Sequence, residues 1–246
     1  MKRVLLNLLA ASLISITLPL MAAEKPADPE LAAIHHQLQG VFPGLPADAV
    51  TRTPIGGLVQ VVYGPNVLYL STDGRYAIKG EMLDLKTSKN LTEEVKTGMR
   101  VKALSAIPES QMVVFAPKNP KHTVTVFTDI DCGYCRKLHN EIDNYMKQGI
   151  AIQYLFYPRA GIGSPSYQKA VNVWCSKDRK AAMTKAKSGA TLPEKHCDNP
   201  VASDYETGQL LGVTGTPAMV TEGGYLLPGY VPAEKLAKIL DELDTK

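Results

Sequence analysis

Two thiols three positions apart stand at the head of a helical stretch in "FTDIDCGYCRKLHNEI", residues 127–142. Positions i and i+3 share one helical face, so Cys132 and Cys135 can close a disulfide or stand open as a dithiol. The first turn of a helix offers unpaired N–H groups and the positive end of the dipole, both of which stabilise an anion. The thiolate of Cys132 is that anion. Its pKa is expected below the free-cysteine value, which makes Cys132 the attacking sulfur and Cys135, one turn deeper, the resolving thiol. Arg136 and Lys137 can add to the effect, whereas Asp131 opposes it if its carboxylate lies near the sulfur.

A C-x-x-C is also half of a zinc site. The other two cysteines, Cys175 and Cys197, are far apart and form no second C-x-x-C, and a helix starting directly after a strand favours redox chemistry. For Cys175 and Cys197 a structural pair in an oxidising compartment is expected, closing a loop worth about 3 kcal/mol; a regulatory or metal role is the alternative. His139 reads as a packing or surface histidine rather than a catalytic one. His35, His36 and His196 show no ligand spacing, and Trp174 is expected in the core. Thr216-Pro217 taken alone reads as an ordinary loop proline. No metal and no cofactor is assigned.

The elements that must position the dithiol follow from patterning. The 246 residues, 45% apolar and 21% charged, suffice for a sizeable core or two domains and exclude collagen-like sequence and wholesale disorder. A net charge of +3, with no basic cluster, gives no electrostatic basis for nucleic-acid binding. Lys2 and Arg3 precede an apolar run from Val4 to Leu20 and the small residues of "MAAEK", the pattern of a cleavable secretory signal over residues 1–23; an uncleaved anchor is the other reading. "ADPELAAIHHQLQ" then predicts a short amphipathic helix. Strands "LVQVVY", "VLYLS" and "RYAIK", punctuated by Gly64-Pro65-Asn66 and Asp73-Gly74, predict an antiparallel meander.

So small a unit, residues 24–85, leaves edges open and core thin, which association with a second copy would remedy. In "KNLTEEVKTGMRVKALSAIP", residues 89–108, Asn90 can cap a helix with Glu93 three residues on, and Pro108 stops it. It is expected to be a linker helix within residues 86–109, although a helix packed inside one domain has the same signature. From residue 110 to 246 the order is strands "MVVF" and "HTVTVFT", a helix over about 132–147, strand "IAIQYLFYP", a helical region over about 166–187, then "GVTGTPAMV", a hairpin around Glu222-Gly223-Gly224 and a last helix from Pro232. That is an α/β sandwich with a helical insertion, preceded by a small mainly antiparallel β domain, α+β overall.

"FTDIDCGYCRKLH", followed much later by "GVTGTPAMV" and "PGYVP", resembles the thioredoxin-like domain of the DsbC/DsbG family of bacterial periplasmic disulfide isomerases. The likeness covers about residues 110–246, and the order of meander, linker helix and catalytic domain agrees across the mature chain. It implies that Cys132 is the exposed nucleophile and Cys135 the resolving cysteine, with Gly133 and Tyr134 between them. It also implies that Pro217 is a cis-proline beside them, preceded by Thr216, and that Cys175 and Cys197 are the family's structural disulfide. It further implies a periplasmic V-shaped homodimer that holds misoxidised secreted clients in an apolar cleft, with chaperone-like binding, and is kept reduced by a membrane reductase of the DsbD type. The Gly133-Tyr134 dipeptide fits the isomerase. A DsbG-like reductase or chaperone with other clients, a DsbA-like dithiol oxidase and a holdase indifferent to its cysteines are the competing readings; the extra amino-terminal domain disfavours the monomeric oxidase.

Overall fold

The computed structural model describes residues 28–244, so the signal segment expected over residues 1–23 lies outside the described residues. The amphipathic run at the start forms α1 (Pro29–Leu38), begun by Asp28, whose carboxylate accepts from the backbone N–H groups of Glu30 and Leu31. Its buried face, Ile34 and Leu38, packs with Leu45, Val50, Val59, Val61 and Leu70 over one side of a four-stranded antiparallel sheet. That sheet runs in order β1 (Val50–Arg52), β2 (Leu58–Tyr63), β3 (Asn66–Ser71) and β4 (Ala77–Lys79). Three of the four are the expected meander, and β1 is an addition. Gly64, at φ +55°, takes the left-handed backbone at the turn that lets Tyr63 pair with Asn66. Every residue of β4 is exposed.

A two-residue ribbon, β5 (Leu83–Asp84) with β6 (Lys89–Asn90), leads into α2 (Leu91–Ser105). Asn90 caps α2 as expected, its side chain accepting from the Glu93 N–H at 3.0 Å. The helix is fastened on both sides. Buried Thr92 shares a hydrogen bond with Tyr69 of β3 and accepts from the Met82 N–H, while Arg100 donates to the Leu211 carbonyl at 3.3 Å and the Gly224 carbonyl at 3.1 Å. Glu93 neutralises the buried guanidinium at 2.6 Å. Gly224 is required at this contact: its φ is +81°, and a Cβ there would stand 2.2 Å from the Thr97 carbonyl oxygen.

The remaining chain builds a five-stranded sheet of order β11 (Leu226–Pro228), β10 (Ala218–Thr221), β8 (His122–Thr128), β9 (Ile150–Phe156) and β7 (Val113–Phe115). Only β8 and β9 run parallel. Because side chains alternate faces along a strand, Val124 and Val126 enter one core and Phe127 the other. The first core is covered by α3 (Gly133–Asn140), α4 (Ile142–Lys147), α5 (Pro165–Trp174), α6 (Arg179–Lys187) and α8 (Ala233–Leu243). Over the second lie Leu211, Val213 and Tyr157, joined by Ala103 and Leu104 from the end of α2 and by Ile107 just after it. Trp174 is buried in the first core as expected, with the Arg179 guanidinium over its ring.

The helical elements differ from expectation at two places. The helix expected over 132–147 is two, divided at Glu141, which leaves helical geometry at φ −101° and ψ 15°. There Tyr230 donates to the Glu141 carboxylate and Tyr145 to the Val231 carbonyl, contacts a straight helix would have to satisfy elsewhere. The helical region expected over 166–187 is present, as α5 and α6, the second begun where Asp178 caps a new start by accepting from the Ala181 N–H. An unforeseen helix, α7 (Val201–Leu210), completes the insertion. Among the described residues no helix is long and apolar enough to cross a membrane.

Candidate active site

Strand β8 ends at Thr128, and the three residues after it aim the chain into α3. The buried Asp129 carboxylate organises this turn, accepting from the Asp131 N–H at 2.8 Å and from the Arg159 N–H and Nε at 2.9 and 3.1 Å. Cys132 is then the N-cap of α3 and Cys135 lies in its first turn. Both are free thiols. The resemblance implied an exposed nucleophile, but Cys132 is only 3% exposed. Its Sγ turns inward and donates to the Thr216 carbonyl at 3.1 Å, across a cis Thr216-Pro217 peptide bond. The ordinary loop proline of the residue-by-residue reading is therefore replaced by the cis form that the resemblance implied. Between the cysteines Gly133 and Tyr134 are exposed, and the Tyr134 ring stacks on Tyr230 at 6.3 Å.

The two sulfurs are electrostatically unlike. Cys132 is lowered to about 5, first by the hydrogen bond that the Cys135 thiol gives its anion. Burial opposes this; the Thr216 hydroxyl, the Cys135 amide and the Arg159 guanidinium assist it. The buried Thr216 hydroxyl has no hydrogen-bond partner among the described residues when Cys132 is a thiol, and a thiolate supplies one. The helix end was expected to lead; it contributes through the Cys135 amide, behind the neighbouring thiol. Cys135 moves the other way, pushed well up by burial and by its role as donor to Cys132.

The charges beside the motif are arranged differently from their sequence neighbourhood. Asp131 is drawn to Lys169 at 2.8 Å and Arg136 at 3.2 Å. Lys137 lies over the Tyr230 ring instead of the sulfur. A cation that acts on Cys132 is Arg159, which sequence reasoning missed. Its signal was indirect: Thr128 pairs with Phe156 in the parallel register, which brings Asp129 and residues just after β9 to one sheet end. Lys187 was missed as well. It is 1% exposed, with Nζ donating to the Thr128 hydroxyl at 2.7 Å and the Asp129 carbonyl at 2.8 Å. Nothing in "AAMTKAKSG" distinguishes it from a surface lysine.

His139 is a packed histidine, held between the Tyr154 hydroxyl at 3.2 Å and the Thr184 hydroxyl at 3.0 Å. Burial, then the Lys187 charge, lowers it to about 4, so it is neutral at physiological pH. Cys175 and Cys197 are joined in a disulfide with a Cα–Cα distance of 5.8 Å, and neither is available to complete a zinc site. Among the described residues no group of three or more His, Cys, Asp or Glu is gathered to hold a metal.

A dithiol at the strand-to-helix turn of a mixed sheet, beside a cis-proline, defines a thioredoxin-like redox domain. Residues 108–244 match the family model of the thioredoxin-like domain, and residues 25–93 match that of the disulfide bond isomerase protein N-terminal domain. The thiol:disulfide interchange protein DsbC of Escherichia coli K12 is 37% identical over 199 residues, 81% of this chain and 83% of that protein. DsbC of Dickeya dadantii is 38% identical over 200 residues, 80% and 82% of the two. A crystal structure of a disulfide interchange protein from Neisseria gonorrhoeae is 30% identical, spanning 55% of this chain and 97% of that one, with a TM-score of 0.49. The chain belongs to the DsbC family of thiol:disulfide interchange enzymes.

Proposed function

We propose that this chain is a periplasmic disulfide isomerase that works as a homodimer, with Cys132 as nucleophile and Cys135 as resolving thiol. The observation that carries the reading is the asymmetry of the two thiols: Cys132 is favoured as an anion, Cys135 as a neutral thiol. The Cys132 thiolate attacks a wrong disulfide in a secreted client, giving a mixed disulfide and freeing a client thiolate. That sulfur attacks elsewhere in the client. If rearrangement succeeds, Cys132 leaves reduced; if it stalls, Cys135 displaces the client and the enzyme leaves oxidised. Turnover as an isomerase therefore requires a reductant, a membrane reductase of the DsbD type, in a compartment that is itself oxidising. The residues 1–23 act as the export signal.

The Thr216-Pro217 loop sits against Cys132 and holds its sulfur in place, while the exposed Tyr134 extends an aromatic surface beside that sulfur for the client. Holding a client through several exchanges falls to the amino-terminal unit, residues 24–85, joined by the linker helix within 86–109 to the catalytic domain at 110–246. Exposed β4 supports pairing with a second copy: Tyr76, just before the strand, is 61% exposed and Ile78 within it 53%. The test is recovery of activity from a scrambled multi-disulfide enzyme, measured against oxidation of the same enzyme fully reduced. An isomerase restores the scrambled substrate with reduced protein in catalytic amount; faster work on the reduced substrate alone would make it an oxidase.

A further inference from the structure

We propose that Lys187, acting through the Thr128 hydroxyl, is the proton acceptor for Cys135 when that thiol resolves a mixed disulfide on Cys132. The inference rests on the roles given to Cys132 and Cys135 above and adds where the resolving proton goes. Cys135 cannot attack as a thiol, and at 1% exposed it has no direct route to bulk water. Behind it stands a lysine whose burial packing alone does not explain: an apolar side chain would fill the end of α6 without the cost of desolvating an ammonium. No carboxylate pairs with it among the described residues, since the Asp129 carboxylate is turned to Arg159. Its partners are instead the Asp129 carbonyl and the Thr128 hydroxyl, and that same hydroxyl acts on Cys135 in the sense that favours its thiolate. Amine, hydroxyl and thiol thus form a continuous line from the end of α6, across the end of β8, to the first turn of α3.

The step balances within this line. The neutral Lys187 amine keeps one N–H on the Asp129 carbonyl and accepts the Thr128 hydroxyl proton, while the Cys135 S–H proton replaces it on Thr128. The Cys135 thiolate attacks Cys132 Sγ. The Cys132–Cys135 bond forms, the bond to the client sulfur breaks, and the client leaves as a thiolate, reduced as the cysteine pair is oxidised. The proton rests on Lys187 until the pair is reduced again and Cys135 takes it back.

Burial pushes Lys187 down to about 8, with the negative charges of Cys135, Asp129 and Cys132 opposing and Arg136 reinforcing the fall. The other titratable groups coupled to the relay are His139, Tyr154 and Arg159. A lowered lysine pKa means that about a tenth of the molecules hold the neutral amine at pH 7, and nearly all do a unit or more above about 8.

The reduced full chain is mixed in stopped flow with dithiobis(nitrobenzoate). The first nitrobenzoate thiolate released reports attack by Cys132; the second reports resolution by Cys135. In the parent the second phase should accelerate through about pH 8 and then level off. Lys187→Met should slow it on the order of 10² at pH 7 and leave it climbing with hydroxide, with a far smaller change in the first phase. Thr128→Val, which keeps the lysine but removes the hydroxyl, should also slow the second phase, and Thr128→Ser should restore it. A second phase that keeps the parent's rate or pH profile in Lys187→Met overturns the relay. So does a Thr128→Val that resolves as fast as the parent, which decides the matter even if Lys187→Met fails to fold. A parent whose first phase modifies a cysteine other than Cys132 overturns the assignment beneath it too.

Discussion

The two units of this chain solve the same packing problem to different degrees. The catalytic sheet is covered on both faces, by one core of 22 buried apolar residues and another of eight, and its central strand β8 has no exposed residue. The amino-terminal sheet has a core of eight on one face, its other face covered only in part, where Val67 and Tyr69 are buried and Tyr69 meets α2, and an outer strand exposed throughout. A finished core can hold two sulfurs in unlike environments because close-packed neighbours cannot shift to equalise them. An unfinished sheet offers backbone groups and apolar side chains to a second chain. Under the proposed reading, chemistry resides in the first unit and retention of the client in the second.

The largest effect expected is on the chemistry. Cys132→Ser should lose disulfide exchange by at least about 10³-fold, whereas Cys135→Ser should keep partial isomerase activity and accumulate mixed disulfides that appear as added mass. Equal activity of Cys132→Ser and the parent would remove the site from the catalytic unit altogether. The pH dependence of alkylation follows in size. Because the anion is stabilised, the Cys132 pKa lies below that of free cysteine. Its alkylation rate should be flat from neutral pH down to about pH 6 and fall about tenfold per unit below about 5. A midpoint at or above the free-cysteine value would mean that burial outweighs the Cys135 and Thr216 hydrogen bonds.

How far these features were legible in the sequence depended on whether their cause was local. The Asn90 cap, the Gly64 turn and the pairing of strand with dithiol helix rest on contacts a few residues apart, and each was readable. The break at Glu141 was not, because its partner Tyr230 is 89 residues away. Helix α7 hid for a similar reason. Its Gly208 is required by packing, as a Cβ would stand 2.5 Å from the Tyr157 ring, and Asp204 is buried to accept the Phe156 N–H, so neither obeys an amphipathic pattern. At the site, the cysteines announced themselves. Arg159 and Lys187 did not, since only the parallel pairing of β8 with β9 and the return of α6 bring them beside the sulfurs.

Two smaller effects sharpen the contrast between the units. Replacing Cys175 and Cys197 together by serine should cost the catalytic unit about 3 kcal/mol in chemical denaturation, from the 22-residue separation they span, while leaving the folded site able to exchange. A loss of exchange at full folding would give that disulfide a part in the chemistry. Gly224→Ala tests the seam with α2. Its positive φ and the clash with the Thr97 carbonyl should cost about 2 kcal/mol and loosen the Arg100 contacts, read as faster amide exchange in α2. An unchanged melting profile would mean that α2 can shift to accommodate the new methyl group.

The division of labour is tested most directly by one set of measurements on one variant, Tyr76→Glu with Ile78→Lys, which puts charges on and beside the exposed strand β4 without touching the catalytic unit. The same sample is sedimented, assayed for exchange with a small disulfide, and assayed for recovery of scrambled substrate. The account predicts a monomer that exchanges within about twofold of the parent and isomerises about tenfold less well, since two linked binding surfaces no longer raise the effective concentration of client. A variant that stays dimeric, or one in which exchange and isomerisation fall together, would contradict it.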